Sequence, residues 1–126
     1  MIRQVINVHN YWKVIIYFNV DYNLFHYIVK DLRKINISNK LIRGIYNNMS
    51  NGFAKAVTIS NIEEYTSIVC FNCHKNQYDY INSIAHECEH IKQDMLRGYA
   101  IDDKGEAPAY TIGYLMMKMI IILGRL

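Results

Sequence analysis

The sequence contains little of what marks a multidomain, secreted or membrane protein. Its only proline is Pro108, and no stretch rich in proline, glycine or serine divides the chain, so no linker is indicated. The three cysteines are too few, and odd in number, for a disulfide framework, which favours a reducing compartment. The longest apolar stretch, residues 111–123, includes Lys118 and is shorter than the roughly 20 residues that span a bilayer. We expect neither a signal peptide nor a transmembrane segment.

Blocks of charge of one sign are also absent from the sequence. The chain has 14 lysine and arginine residues against 11 aspartate and glutamate residues, a formal net charge of +3, and neither sign forms a run of more than two adjacent residues. Without a basic stripe, the sequence predicts no nucleic-acid partner and no anionic membrane surface as a partner. With 52% hydrophobic residues, the 126 residues predict one globular domain over residues 1–126.

The order of the predicted elements indicates the fold class. Residues 14–20 are β-branched and aromatic and predict a strand, whereas residues 24–35 repeat their apolar positions at helical spacing. A short helix follows Ser38 and ends at Asn51-Gly52. The remaining elements are two strands at 53–59 and 66–73, a helix from about 80 to 98, and a last helix from about 106. Because helices and strands do not simply alternate, this order predicts a small α+β domain.

The long predicted helix contains the H-E-x-x-H pattern His86-Glu87-Cys88-Glu89-His90. At about 100° per residue, positions i and i+4 lie about 40° apart around the helix, so both imidazoles can reach one cation. Glu87 falls on the adjoining flank, about 60° from His90, where it can act on a water molecule without being a ligand. Cys88 is expected to be a small core residue on the face away from the cation.

A catalytic zinc site has three protein ligands, so the pattern needs a third ligand further along the chain. Glu106 is the best candidate, because it opens the last predicted helix, two residues before Pro108. Tyr110 lies at i+4 from Glu106, so its hydroxyl can point towards the same site. Gly113 is expected to let the last two helices approach closely.

Three other carboxylates are weaker candidates for a role in the site. Asp102 and Asp103 are rival third ligands, although both also suit an ordinary turn. Asp94, four residues after His90, lies on the same helical side and could orient a ligand histidine, or it could face solvent.

In these residues the sequence resembles the zincin metallopeptidases of the gluzincin type. The segment H-E-C-E-H, followed sixteen positions later by E-A-P-A-Y, is similar to the small single-domain zincin-like proteins of phages and mobile elements. The resemblance is sharp over residues 80–117 and loose elsewhere. It implies one zinc ion per chain held by His86, His90 and Glu106, with Glu87 as general base and Tyr110 as a further catalytic residue.

The fold and function that the resemblance implies are specific. It implies a minimal zincin-like domain, in which a small mixed sheet packs on the H-E-x-x-H helix and a C-terminal helix. The activity would be zinc-dependent hydrolysis of peptide bonds in a peptide or protein substrate, in the bacterial host cytoplasm or in association with a virion. A protein partner or virion assembly would be compatible with so small a domain, whereas a membrane would not be a partner.

Two alternatives to an enzyme remain open at this point. The same ligands could hold zinc in a structural, virion or interaction protein without turnover. The spacing Cys70-x2-Cys73-x12-His86-x3-His90 also fits a two-Cys, two-His zinc finger that binds nucleic acid, although the positions for the buried finger residues are the polar Gln77 and Ser83. The residues from Cys70 to His74 also match the C-x-x-C-H haem pattern, which requires an exported chain.

Overall fold

The structure is a computed structural model that describes residues 1–9, 11–99 and 106–126, and only the backbone of residues 106–109. Its strands are β1 (Ile2–Val8), β2 (Trp12–Phe18), β3 (Ala56–Asn61) and β4 (Thr66–Phe71). Its helices are α1 (Phe25–Lys34), α2 (Asn39–Ser50), α3 (Gln77–Tyr99) and α4 (Glu106–Leu123). Two 3-10 turns, Tyr22–Leu24 and Ile62–Glu64, lead into α1 and β4. The fold is therefore α+β, as the order of elements predicted.

The four strands form one mixed sheet in the order β1-β2-β4-β3. The central pair, β2 and β4, is parallel, while β1 and β3 pair antiparallel to β2 and β4 at the two edges. Strand β1 was missed by the sequence analysis. Only Ile6 and Val8 of this edge strand are buried, so its remaining positions carry no clear signal of alternation.

Helices cover both faces of the sheet. In β2, Val14, Ile16 and Phe18 pack with apolar residues of α3 and α4. The alternate residues Ile15 and Tyr17 pack with α1 and α2 on the opposite face. Because successive side chains of a strand point to opposite faces, a central strand covered on both sides becomes a continuous apolar run. The result is three layers, with the sheet between α1 and α2 on one side and α3 and α4 on the other.

The ends of α2 form as the sequence predicted. The side chain of Ser38 accepts a hydrogen bond from the backbone N–H of Leu41 at 3.2 Å and so caps the first turn. At the other end, Gly52 takes a positive φ of 82°, a conformation that glycine adopts without steric cost.

The last two helices pack against each other and against the sheet. Ile84, Cys88 and Ile91 of α3 share one core with Leu115 and Met119 of α4. The Sγ of Cys88 lies 3.6 Å from the Sδ of Met119, so the prediction of a buried Cys88 is confirmed. Among the residues that the structure describes, no helix combines the length and apolarity needed to cross a membrane.

Candidate metal centre

The H-E-x-x-H pattern lies in the middle of α3, on the side that its apolar residues leave free. Ile84, Cys88 and Ile91 hold one side of the helix on the sheet. His86 and His90, displaced around the helix from these positions, are both exposed. The helix therefore presents both imidazoles to solvent at a fixed spacing, which is what a site that admits a ligand requires.

The two imidazoles face each other closely. The Nε2 atoms of His86 and His90 are 3.1 Å apart, and the two rings are inclined at 75°. Two imidazole nitrogens on one tetrahedral zinc ion, each bound at about 2.0–2.1 Å, lie about 3.3 Å apart. The spacing of this histidine pair therefore fits two ligands of a zinc ion, although the same approach also suits an N–H···N hydrogen bond between the rings.

Glu87 differs from the histidines in being buried, with 5% of its surface exposed. Its Oε1 accepts a hydrogen bond of 2.9 Å from the hydroxyl of Thr58, in the edge strand β3. A carboxylate has two oxygens, so this bond fixes the orientation of the group and leaves Oε2 for another partner. Thr58 is thus a residue of the site that the sequence analysis missed.

The structure describes the remaining predicted residues only in part. Glu106 is the first residue of α4, and its side chain, like Asp102 and Asp103, lies outside the described residues. Tyr110 is 72% exposed near the start of the same helix. Among the described residues, no group of three or more His, Cys, Asp or Glu side chains is placed to hold a metal ion.

The expectation for Gly113 is wrong. This glycine is exposed, and within the described part of the chain no atom of a neighbouring element lies within 4 Å of the position that a Cβ would take there. The close contact between α3 and α4 is instead made by larger apolar side chains such as Leu115 and Met119.

Asp94 belongs to a hydrogen-bond chain that connects α3 to the sheet. Its Oδ2 accepts a bond of 2.6 Å from the hydroxyl of Ser60, and Arg97 donates to its other oxygen. Because Ser60 uses its proton for Asp94, it must accept from Ser67 at 2.7 Å, and Ser67 in turn accepts from the indole N–H of Trp12. Within the described residues these bonds do not include a histidine. Asp94 therefore holds α3 against β3 and does not orient a ligand histidine.

The cysteines of the zinc-finger alternative lie apart from the histidines. Cys70 is fully buried in β4 among residues of α1 and α2, whereas α3 lies on the opposite face of the sheet. Burial raises the pKa of its thiol to about 12. Cys73, beyond the end of β4, is exposed. A buried thiol on the far face of the sheet cannot join His86 and His90 on one ion, and it is equally closed to haem attachment.

His74 is engaged with its own neighbours and is not a free ligand. Its Nδ1 lies 2.5 Å from the carbonyl oxygen of Asn72, and its Nε2 lies 2.7 Å from the hydroxyl of Ser83. A carbonyl only accepts, so Nδ1 carries the proton and Nε2 accepts from Ser83. This contact ties the loop after β4 to the helix that carries the H-E-x-x-H pattern.

Comparison of the chain with protein-family models, curated proteins and solved structures finds no match. The chemistry of the site therefore rests on its own residues. These are two exposed and apposed imidazoles, His86 and His90, and the oriented carboxylate of Glu87 next to them in the helix.

Proposed function

We propose that this protein is a zinc-dependent metallopeptidase of the zincin type. The observation that carries the proposal is the pair of Nε2 atoms of His86 and His90, 3.1 Å apart on an exposed helical face. Such a separation matches two ligands on one tetrahedral ion, and solvent reaches both rings. A structural zinc site would be closed by four protein ligands, whereas two histidines and one carboxylate would leave the fourth position for a reacting group.

Glu106 is the proposed third ligand. It is the first residue of α4, and a carboxylate with two imidazoles is a ligand set that catalytic zinc accepts. A bound zinc ion would act as a Lewis acid on water and on a substrate carbonyl. The chain's own residues would supply the ligands and the groups that move protons.

Glu87 is the proposed general base. The hydroxyl of Thr58 holds its Oε1, and Oε2 is then available to accept a proton from the attacking water and to deliver it to the leaving amine. Tyr110, with its exposed ring near the start of α4, is the proposed donor to the oxygen of the scissile carbonyl. In this proposal the protein residues would bind the metal ion, move the proton and donate to the carbonyl oxygen, and the metal ion would act as the Lewis acid.

An extended polypeptide is the substrate that the surroundings favour. Strand β3 is an edge of the sheet, so one side of its backbone is not paired within the sheet. Its residue Thr58 contacts Glu87 directly, which brings this edge beside the proposed metal site. An edge strand can pair with an added extended segment, which would hold a peptide in line with the helix.

The substitution Glu87→Gln tests the catalytic role. We expect the variant to keep one zinc ion per chain, measured by atomic absorption after purification without chelator. Hydrolysis of fluorescently labelled casein should fall by about 10²–10⁴-fold, the usual contribution of a general base. Glu89→Gln is the matched control, because the carboxylate of Glu89 binds Lys92 at 2.8 Å and is expected to leave both zinc and hydrolysis unchanged.

The metal site has its own test, which separates the proposal from its alternatives. His86→Ala should lose zinc, whereas His74→Ala, at a ring engaged with Ser83, should keep it. Zinc retained by His86→Ala, or a wild-type chain without zinc, would contradict the metal site. If the wild type binds zinc but does not hydrolyse casein, a structural or interaction protein would be favoured. Loss of zinc from Cys73→Ser would restore the cysteine-bound alternative.

A further inference from the structure

Three neighbouring clefts of about 460, 400 and 430 Å³ border α1, the helix on the side of the sheet opposite α3, and Lys34 lines all three. The first two clefts also share Arg3 and Asp31, and the last two share Lys30. We call this surface the α1 groove. It lies along a helix whose inner side packs on β2 and whose outer side contacts solvent.

The α1 groove contains the net positive charge of the chain. Its charged residues are Arg3, Lys13, Lys30, Arg33 and Lys34, with Asp31 and Glu64 as the only carboxylates among the lining residues. The formal charge of these seven side chains is +3, which equals that of all 126 residues. The remaining cations and carboxylates balance each other. The lining of the α1 groove therefore carries more positive than negative charge.

Most of these cations lack an acidic partner within the described residues. The ion pair found in the groove is Arg3 with Asp31, at 2.9 Å. Lys13, Lys30 and Lys34 are exposed and take part in no ion pair within the described residues, although the charge of Lys34 is near enough to help lower the pKa of Asp31. A polyanion that replaces counter-ions bound at such exposed cations gains free energy from their release.

Exposed aromatic rings accompany the cations. Tyr11 and Tyr65 line the first cleft and Tyr27 lines the second, with 74%, 47% and 54% of their surfaces exposed. Tyr65 has a positive φ of 49°, which is unusual for a bulky residue, and its ring is held in a stacked arrangement with Tyr99.

We propose that the α1 groove binds single-stranded nucleic acid. Lys13, Lys30 and Lys34 would contact backbone phosphates, and the exposed rings of Tyr11 and Tyr27 would stack on unpaired bases. An acidic polypeptide would use the same cations, but it would have no use for the ring faces. Unpaired bases account for both features of the groove.

Fluorescence anisotropy with a labelled oligothymidylate of about 12 nucleotides tests the proposal. The variant Lys30→Gln/Lys34→Gln should bind at least about tenfold more weakly, and the slope of log K against log salt should become shallower by about 1.4. The control Lys55→Gln/Lys75→Gln removes the same charge from exposed residues that do not line the groove, and it should bind like the wild type. Tyr27→Ala should weaken binding by about tenfold while leaving the salt slope unchanged.

Four results would overturn the proposal, and circular dichroism of each variant excludes misfolding as their cause. The first is no binding by the wild type. The second is equal weakening by the two lysine pairs, which would show binding by net charge alone. The third is stronger binding of labelled polyglutamate or of phosphatidylserine vesicles than of the oligonucleotide. The fourth is unchanged binding by Tyr27→Ala, which would exclude base stacking at this residue.

Discussion

A buried carboxylate beneath the α1 groove provides a quantitative test of how the layers are joined. Asp31 of α1 accepts hydrogen bonds from the guanidinium of Arg3, at 2.9 and 3.2 Å, and from the hydroxyl of Tyr17. It therefore connects the helix to β1 and to β2. Burial alone would raise its pKa, but the hydrogen bonds from Arg3 and Tyr17 outweigh burial and hold the pKa below its ordinary value.

The substitution Asp31→Asn removes the charge while keeping the shape of the side chain. A hydrogen bond to a charged group contributes about 1.5–3 kcal/mol, against about 0.5–1.5 kcal/mol for a neutral one. The side chain of Arg3 is 47% exposed, so solvent screening limits the contribution of its bonds with Asp31 to at most about 1 kcal/mol. Tyr17 is buried, so its hydrogen bond to Asp31 keeps most of its contribution to stability. We expect the free energy of unfolding to fall by about 1–2.5 kcal/mol at neutral pH.

The pH dependence follows from the direction of the pKa shift. Because the pKa of Asp31 is lowered on folding, its stabilisation is complete well above the ordinary value of 3.8 and is lost as the pH falls through the folded value. The difference between the wild type and Asp31→Asn should therefore shrink in acid. Urea denaturation at several pH values measures it, with a shift of the midpoint at unchanged slope.

A matched control uses the exposed carboxylate of Asp21, which accepts a hydrogen bond of 2.9 Å from the N–H of Asn23. Asparagine caps a helical turn about as well as aspartate, so Asp21→Asn should leave the urea midpoint unchanged. The reasoning would be refuted if Asp31→Asn unfolded at the wild-type midpoint. It would also be refuted if the difference between them stayed constant from neutral to acid pH.

Two further predictions concern glycine positions and thiols. A Cβ at Gly98 would lie 2.8 Å from the buried ring of Trp12, so Gly98→Ala should lower the free energy of unfolding by about 1–3 kcal/mol. Gly113→Ala, in open space on α4, should raise it by up to about 1 kcal/mol, and a urea midpoint no lower for the first variant than for the second would contradict the packing. With a thiol reagent at neutral pH, Cys73 alone should react in the folded protein, because burial raises the pKa of both other thiols to about 12. Rapid reaction of a second thiol before unfolding would show that the core is open.

Local periodicity made most of the elements predictable. The cap at Ser38 and the helical spacing of α3 depend on residues a few positions apart, and the structure confirms both. The apposition of His86 and His90 has the same origin, because i and i+4 are neighbours in any helix. The edge strand β1 was missed because half-exposed positions weaken the alternation by which strands are found.

The supporting contacts of the candidate site could not be predicted in this way. Glu87 is held by Thr58 and Asp94 by Ser60, pairs separated by 29 and 34 residues. They meet because β3 forms an edge of the sheet under α3, and sheet order is not encoded in any short pattern. The same reason explains the error at Gly113, whose surroundings depend on how α4 is rotated against α3.

The sequence by itself determined the α+β class and the helix that carries two histidines in register, because both follow from spacing along the chain. The tertiary structure alone decided that Cys70 lies across the sheet from those histidines. It also decided that cations of β1, β2 and α1, which lie up to 31 residues apart in the sequence, line adjoining clefts. Charge order along a chain does not predict charge order on a surface, because sheet pairing and layer packing bring distant residues together.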